Sequence, residues 1–128
     1  MANPERPTSW PGKFAVAISG LAWAVRTQSS FWIHLPIAAA VIIVGALLQV
    51  ELWRWAALVL AIALVMTAEL LNSAIEQLVT VLHPDQDQRI GQALDAAAAG
   101  VLIAAICSVA IGLITLGPPL WQFAASTF

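Results

Sequence analysis

Three long apolar stretches constrain the fold of this chain more than any other feature of its sequence. They run from about residue 31 to 50, from 53 to 82 and from 93 to 121. Each is long enough to supply the ~20 residues that an α-helix needs to cross a ~30 Å hydrocarbon layer. Because a bilayer core offers no water to backbone polar groups, helices are favoured there. The sequence therefore predicts an all-α integral membrane protein with three transmembrane helices.

The charge content agrees with a membrane environment. Of 128 residues, 61% are hydrophobic, and the chain holds only five Lys and Arg against seven Asp and Glu. A soluble domain of this size needs more charge to cover its surface. The net charge of −2 and the lack of a basic cluster disfavour nucleic-acid binding. Cys107 is the single cysteine, which excludes an intrachain disulfide.

The regions outside the three spans divide the chain further. Residues 1–12 contain three prolines and predict a flexible tail, and residues 122–128 predict a second, C-terminal tail. Between them, residues 13–121 form a single membrane domain. In its first part, residues 13–28, apolar residues recur at helical spacing, namely Phe14, Ile18, Leu21 and Val25. This pattern predicts an amphipathic helix on the membrane surface.

The basic residues predict how the chain is oriented. Arg6, Lys13 and Arg26 lie before the first span, and Arg89 lies in the loop before the third. In a three-span topology these four residues are on one side of the membrane, and Arg54 alone is on the opposite side. The positive-inside rule therefore predicts a cytoplasmic N-terminus and an external C-terminus.

Two glutamates interrupt the second span near its cytoplasmic end. An acidic side chain costs roughly 2.5–3.5 kcal/mol at the centre of a membrane helix, so such residues usually have a function. Glu69, Asn72, Ser73 and Glu76 follow the spacing i, i+3, i+4 and i+7, which places them in one stripe on a helix. Asp95, at the start of the third span, meets this stripe if the two helices form an antiparallel hairpin.

Carboxylate and carboxamide oxygens are the ligands that Mg²⁺ prefers, and a carboxylate is also able to act as a general base on a hydroxyl. An ion path remains an alternative for the glutamates, and helix capping remains one for Asp95. His34 lies alone in the sequence and is interpreted as an interfacial polar residue.

Small residues recur every fourth position in the third span, at Gly100, Ala104, Ser108 and Gly112. Such a ridge lets helices approach closely. Because three helices are too few to enclose a polar site, we expect a homo-oligomer with sites shared between subunits.

Two segments give a specific resemblance. The stretch from Ala68 to Glu76, followed by a polar loop and the stretch from Ala93 to Leu102, resembles the signature of the prokaryotic diacylglycerol kinase family, which includes the undecaprenol kinases. The tripeptide from Ile33 to Leu35 resembles the undecaprenol kinase branch. The similarity extends from about Phe14 to Pro118. It implies a homotrimeric lipid kinase of the bacterial inner membrane that uses Mg²⁺ and ATP.

The resemblance also implies a role for each polar residue. Glu69 would be the base that takes the proton of the lipid hydroxyl, and Glu76 would hold Mg²⁺. Asn72 and Ser73 would contact the substrate or its phosphates, and Asp95 would bind the nucleotide.

Two positions depart from the family pattern. Leu94 stands where the family typically has a lysine that contacts phosphates, and Gln28 stands where it typically has a metal-binding glutamate. Gln28 retains a neutral oxygen for a metal. Besides a lipid kinase, the sequence leaves open a family member with lost or altered catalysis that binds lipid or nucleotide. A small ion-coupled transporter is less favoured, because the acids lie near one interface.

Overall fold

The computed structural model describes residues 7–83, 85 and 87–127, and these residues form four α-helices. They are α1 (Trp10–Thr27), α2 (Phe31–Leu47), α3 (Leu52–Leu82) and α4 (Gln88–Thr127). The prediction of an all-α fold is confirmed. The helix containing the third predicted span, 93–121, is longer at both ends than the span itself. How the chain divides into tails and a membrane domain stays a prediction.

Local sequence signals explain where α1 begins and ends. The Ser9 hydroxyl oxygen accepts a hydrogen bond from the Gly12 amide at 3.3 Å, and Pro11 lies in the first turn, where its missing N–H is not needed. At the other end, Gln28 adopts an extended backbone that stops the helix. The helix therefore starts inside the predicted tail, three residues before the predicted position 13, because Ser9 supplies the cap.

A sharp bend separates α1 from α2, whose axes meet at 105°. A helix on the membrane surface that leads into a spanning helix needs a bend of this kind. Phe14, Ile18 and Leu21 of α1 are exposed, and are therefore available to lipid. The position of α1 on the membrane surface stays a prediction.

The prediction of three spans is confirmed in part. By length and composition, α3 and α4 of the described part of the chain are able to cross a membrane, and there are up to three such spans if the bent pair α1–α2 counts as one. Alone, α2 has 17 residues. At 1.5 Å per residue it is about 26 Å long, slightly short of the hydrocarbon thickness.

The turn after α2 explains why this helix ends before the predicted position 50. Gln49 has a φ of 49°, in the left-handed region. The Val50 amide donates to the Gly45 carbonyl and the Gln49 amide to the Ala46 carbonyl, both at 3.2 Å. This is the Schellman pattern that terminates helices. Gly45 also lets Trp55 of α3 pack closely, since a Cβ atom there would lie 3.1 Å from the Trp55 ring.

Helices α3 and α4 form an antiparallel hairpin whose contact uses small residues. The Ser108 hydroxyl donates to the Ala61 carbonyl at 3.0 Å, and Ala104 is buried beside it. Part of the ridge predicted to bind other subunits therefore packs within the chain. Gly100 of the same ridge stays exposed.

Few large apolar side chains are buried inside the chain. A small core at the end away from Glu69 is formed by residues of α2, α3, α4 and the turn, namely Val41, Val44, Leu48, Val50, Trp55, Leu58 and Leu116. Only 28% of the most apolar stretch of α3 and 6% of that of α4 is buried within the chain. In water such a surface would be unfavourable, so this exposure agrees with helices that face lipid or other subunits.

Arg54 stabilises α4 where two consecutive prolines interrupt its hydrogen bonds. Pro118 and Pro119 have no N–H, so the carbonyls of Ile114 and Thr115 lose their partners four residues on. The Arg54 Nη1 atom donates to the Thr115 carbonyl at 2.6 Å and, more weakly, to the Ile114 carbonyl at 3.5 Å. A side chain of α3 thus replaces the amide donors that α4 lacks.

We expect Arg54→Ala to lower the free energy of unfolding by about 1–3 kcal/mol, because it leaves part-buried carbonyls without a donor. The double substitution Pro118→Ala, Pro119→Ala restores the amides, so in that background Arg54→Ala should cost clearly less. The measurement is a double-mutant cycle on thermal unfolding in lipid. Arg54→Ala also removes the contacts of Arg54 with Glu51 and Trp53, but it removes them in both backgrounds, so their contribution cancels in the double-mutant cycle. An equal loss in both would contradict this account.

Candidate active site

Glu69 occupies a position in α3 that otherwise belongs to the buried face. The buried residues of this helix follow one row along its length, and the row reads Leu58, Ala61, Val65, Glu69 and Ser73. Glu69 is 5% exposed. A carboxylate in such a position needs a hydrogen-bond donor or a cation, because desolvation disfavours its charge.

The partner of Glu69 is His34 of α2. The His34 Nε2 atom lies 3.0 Å from the Glu69 Oε1 atom, and the two side chains are 22% and 7% exposed. The sequence analysis did not predict this contact, and the position of His34 near the membrane interface stays a prediction. The tight α2–α3 turn makes the two helices neighbours, which places a residue near the start of α2 beside the carboxylate.

A second polar contact lies one to two turns further along α3. The Asn72 Nδ2 group donates to the Glu76 Oε1 atom at 2.7 Å. The Asn72 Oδ1 atom is buried, and it finds no hydrogen-bond partner among the described residues. Glu76 itself is exposed. The predicted stripe thus consists of a buried carboxylate at Glu69 and an accessible carboxylate at Glu76, with Asn72 between them.

Asp95 lies at the level of this stripe, but points outward. Ile75 of α3 and Ala96 of α4 line the same groove, so the antiparallel hairpin brings Asp95 to the expected height. Its side chain is exposed. Asp95 is not a helix cap, because α4 begins at Gln88 and the Asp87 carboxylate accepts from the Arg89 amide at 2.7 Å. The capping alternative is therefore wrong, since the helix starts earlier than predicted.

The remaining predicted site residues differ in their surroundings. Ser73 is 2% exposed and so lies within the helix packing. Gln28 lies in the break between α1 and α2, half-buried, and its Nε2 group donates to the Thr27 hydroxyl at 3.4 Å. Leu94 is also half-buried.

An apolar groove of about 310 Å³ runs between α3 and α4 beside the polar stripe. Among the described residues that line it, Asn72 alone is polar, and the rest are apolar side chains and Gly100; they include Leu64, Ala68, Leu71, Ile75, Val101 and Cys107. The buried face of α3 holds Glu69, while this groove lies on the neighbouring face and is open to the outside of the chain. The groove therefore offers an accessible apolar surface at the level of the polar stripe.

The site of one chain offers the type of oxygen ligand that Mg²⁺ prefers, but too few such ligands to surround the ion without substrate phosphates and water. In the described ranges, no three Asp, Glu, His or Cys side chains come together to hold a metal. The accessible Glu76 carboxylate and the unpartnered Asn72 Oδ1 atom are the oxygens available near the stripe. Mg²⁺ commonly uses one or two protein carboxylates together with substrate phosphates and water, and this donor set suits that mode of binding.

Comparison with known proteins identifies relatives over almost the whole chain. The family model described as prokaryotic diacylglycerol kinase matches residues 15–116. A diacylglycerol kinase of Synechocystis sp. is 40% identical over 125 residues, covering 92% of this chain and 71% of the relative. An undecaprenol kinase of Bacillus subtilis is 35% identical over 107 residues, covering 84% of this chain and 87% of the relative. No solved structure matches the chain significantly.

Proposed function

The chain belongs to the prokaryotic diacylglycerol kinase family, and we propose that it transfers the γ-phosphate of ATP to the hydroxyl of diacylglycerol or undecaprenol at the cytoplasmic membrane surface. Lipid kinase activity follows from the family. The two relatives carry different names, one a diacylglycerol kinase and the other an undecaprenol kinase, so both acceptors are considered.

The observation that carries the proposal is the buried carboxylate of Glu69 on a helix able to span a membrane. It is 5% exposed, it has a hydrogen-bonding partner in His34, and an apolar groove lies on the adjacent face of α3. A carboxylate beside an apolar groove is a suitable base for a lipid hydroxyl, because a general base must lie within hydrogen-bond reach of the proton that it takes.

In the proposed reaction, Glu69 accepts the proton of the lipid hydroxyl. The lipid oxygen then bonds to the γ-phosphorus, and the bond from this phosphorus to the bridging oxygen breaks, which releases ADP. Glu69 later returns the proton to solvent. Asn72 and Ser73 would position the substrate or its phosphates, and Asp95 would bind the nucleotide.

Glu76 is the residue proposed to hold Mg²⁺, with the Asn72 Oδ1 atom and the neutral Gln28 oxygen as weaker candidates. When bound, the ion neutralises charge on the phosphates. The exposure of Glu76 supports this role, because a carboxylate that receives a metal–nucleotide complex must be accessible from outside the chain.

A homotrimer with sites between subunits is the proposed assembly. Two observations support incomplete sites in one chain: the buried Asn72 Oδ1 atom has no described partner, and Gly100 of the small-residue ridge is exposed. We further propose an inner-membrane location, with the N-terminus in the cytoplasm and the C-terminus outside, as the basic residues predict.

A family member with altered catalysis is the second candidate, and the residues at positions 94 and 28 favour it. Leu94 and Gln28 carry no charge where the family typically has a lysine and a glutamate. Arg54 cannot replace the lysine, because it binds the Thr115 carbonyl at the other end of the hairpin. Lys13, Arg26 and Arg89 are exposed and form no ion pair in the described part of the chain, so they are the candidates for a compensating cation.

The decisive test is phosphate transfer by the purified protein in lipid. Labelled ATP and Mg²⁺ are offered with diacylglycerol or undecaprenol separately, and labelled lipid phosphate is measured after extraction. We expect transfer to one acceptor or both. Transfer to neither, by protein that is folded and still binds ATP or lipid, would reject the kinase proposal and support altered catalysis.

Glu76→Gln should raise the Mg²⁺ concentration required for half-maximal activity. The substitution removes the charge, yet keeps an oxygen that accepts from Asn72, so the local packing is retained. The measurement is a Mg²⁺ titration of lipid phosphorylation at saturating ATP. Glu51→Gln is the matched control, because Glu51 lies at the other end of α3 and contacts Arg54. An unchanged Mg²⁺ requirement in Glu76→Gln would contradict the metal-binding role.

A further inference from the structure

We propose that His34 is a positioning residue for the catalytic carboxylate, and that it fixes the Glu69 side chain through a hydrogen bond from Nε2 to Oε1. This inference rests on the proposed kinase function and adds a residue to it. It starts from the contact of 3.0 Å between α2 and α3 at the centre of the site.

The chemistry of the two groups determines the direction of this hydrogen bond. An ionised carboxylate has only acceptors, so the His34 Nε2 atom must carry the hydrogen. The neutral imidazole with its hydrogen on Nε2 and the imidazolium both meet this requirement. With Oε1 engaged by His34, the Oε2 atom is left for the lipid hydroxyl.

The described structure gives Glu69 no other fixed partner. No other side chain in the described ranges forms a hydrogen bond or ion pair with it. In the described ranges, the charged groups towards this end of the helices form no hydrogen bond or ion pair with the two side chains; they include Arg26 of α1, Glu76 of α3 and Asp95 of α4, all exposed. The orientation of the carboxylate therefore depends on one imidazole.

A base of this kind benefits from a fixed orientation. The terminal torsion of a glutamate is broad, so the carboxylate alone does not select one direction. A misplacement of about 1 Å in a reacting group lowers a rate by about 100-fold. His34 has a firm support itself, because it lies in the first turn of α2 and its amide donates to the Ser30 carbonyl at 3.0 Å.

A histidine suits this role better than a lysine or an arginine. A permanent cation would hold the carboxylate in place, but would also stabilise its charged form and make it a weaker base. Neutral imidazole donates the same hydrogen bond without a full positive charge. The site thus restricts the motion of Glu69 without placing a permanent cation beside it.

The test compares three substitutions of His34 in the full-length protein in lipid, with kcat and the KM for the lipid acceptor measured separately. His34→Gln places an amide donor near the position of Nε2, whereas His34→Asn is too short and His34→Leu has no donor. We expect kcat to fall by about ten- to 100-fold in the Leu and Asn variants with KM changed less than about threefold, and His34→Gln to recover most of the loss.

His83→Leu is the matched control, since His83 caps the C-terminus of α3, about 21 Å along the helix from Glu69, and forms no hydrogen bond with the pair in the described ranges; it should leave kcat unchanged. If His34→Leu does not fold, the comparison of the Gln and Asn variants decides. A kcat within twofold of wild type in the Asn and Leu variants, or equal loss in Asn and Gln, would overturn the positioning role while the kinase proposal stands. An inactive wild-type protein would instead overturn the kinase proposal, and this role with it.

Discussion

A carboxylate inside an apolar helix is unfavourable unless another group donates a hydrogen bond to it or carries the opposite charge, and the rest of this site depends on how that requirement is met. Glu69 lies in the row of α3 that faces the other helices, and His34 of α2 supplies the donor. The tight turn between α2 and α3 and the sharp bend before α2 bring this imidazole to the correct place. The connections at both ends of α2 therefore determine which side chain meets Glu69.

The hairpin of α3 and α4 provides an apolar surface beside the polar stripe. Small residues let the helices approach, with the Ser108 hydroxyl bonded to the Ala61 carbonyl. At the opposite end, Arg54 satisfies the carbonyls that two prolines leave without partners. The hairpin is thus fixed at its far end, while the end with Asn72, Glu76 and Asp95 remains accessible. Exposed small residues there, such as Gly100, would let a helix of another subunit approach closely if the proposed oligomer forms.

The sequence predicted the all-α fold and the stripe of Glu69 to Glu76, because helical periodicity and the cost of buried acids act along one helix. It did not predict the contact of His34 with Glu69, since residues 35 positions apart meet only through the geometry of the turns. It also placed the start of the last helix too late, and so left Asp95 as a candidate cap although Asp87 has that role. The resemblance of the tripeptide around His34 was the one signal that singled out this residue.

We propose that the buried Glu69 carboxylate acts as a base, and this role is tested by the turnover of Glu69→Gln in lipid together with its thermal unfolding. Glutamine keeps the volume and an oxygen that accepts from His34, but it cannot take a proton. The account predicts that kcat falls by about 100-fold or more, the usual contribution of a general base, with no loss of thermal stability. Turnover close to that of the wild type would contradict it.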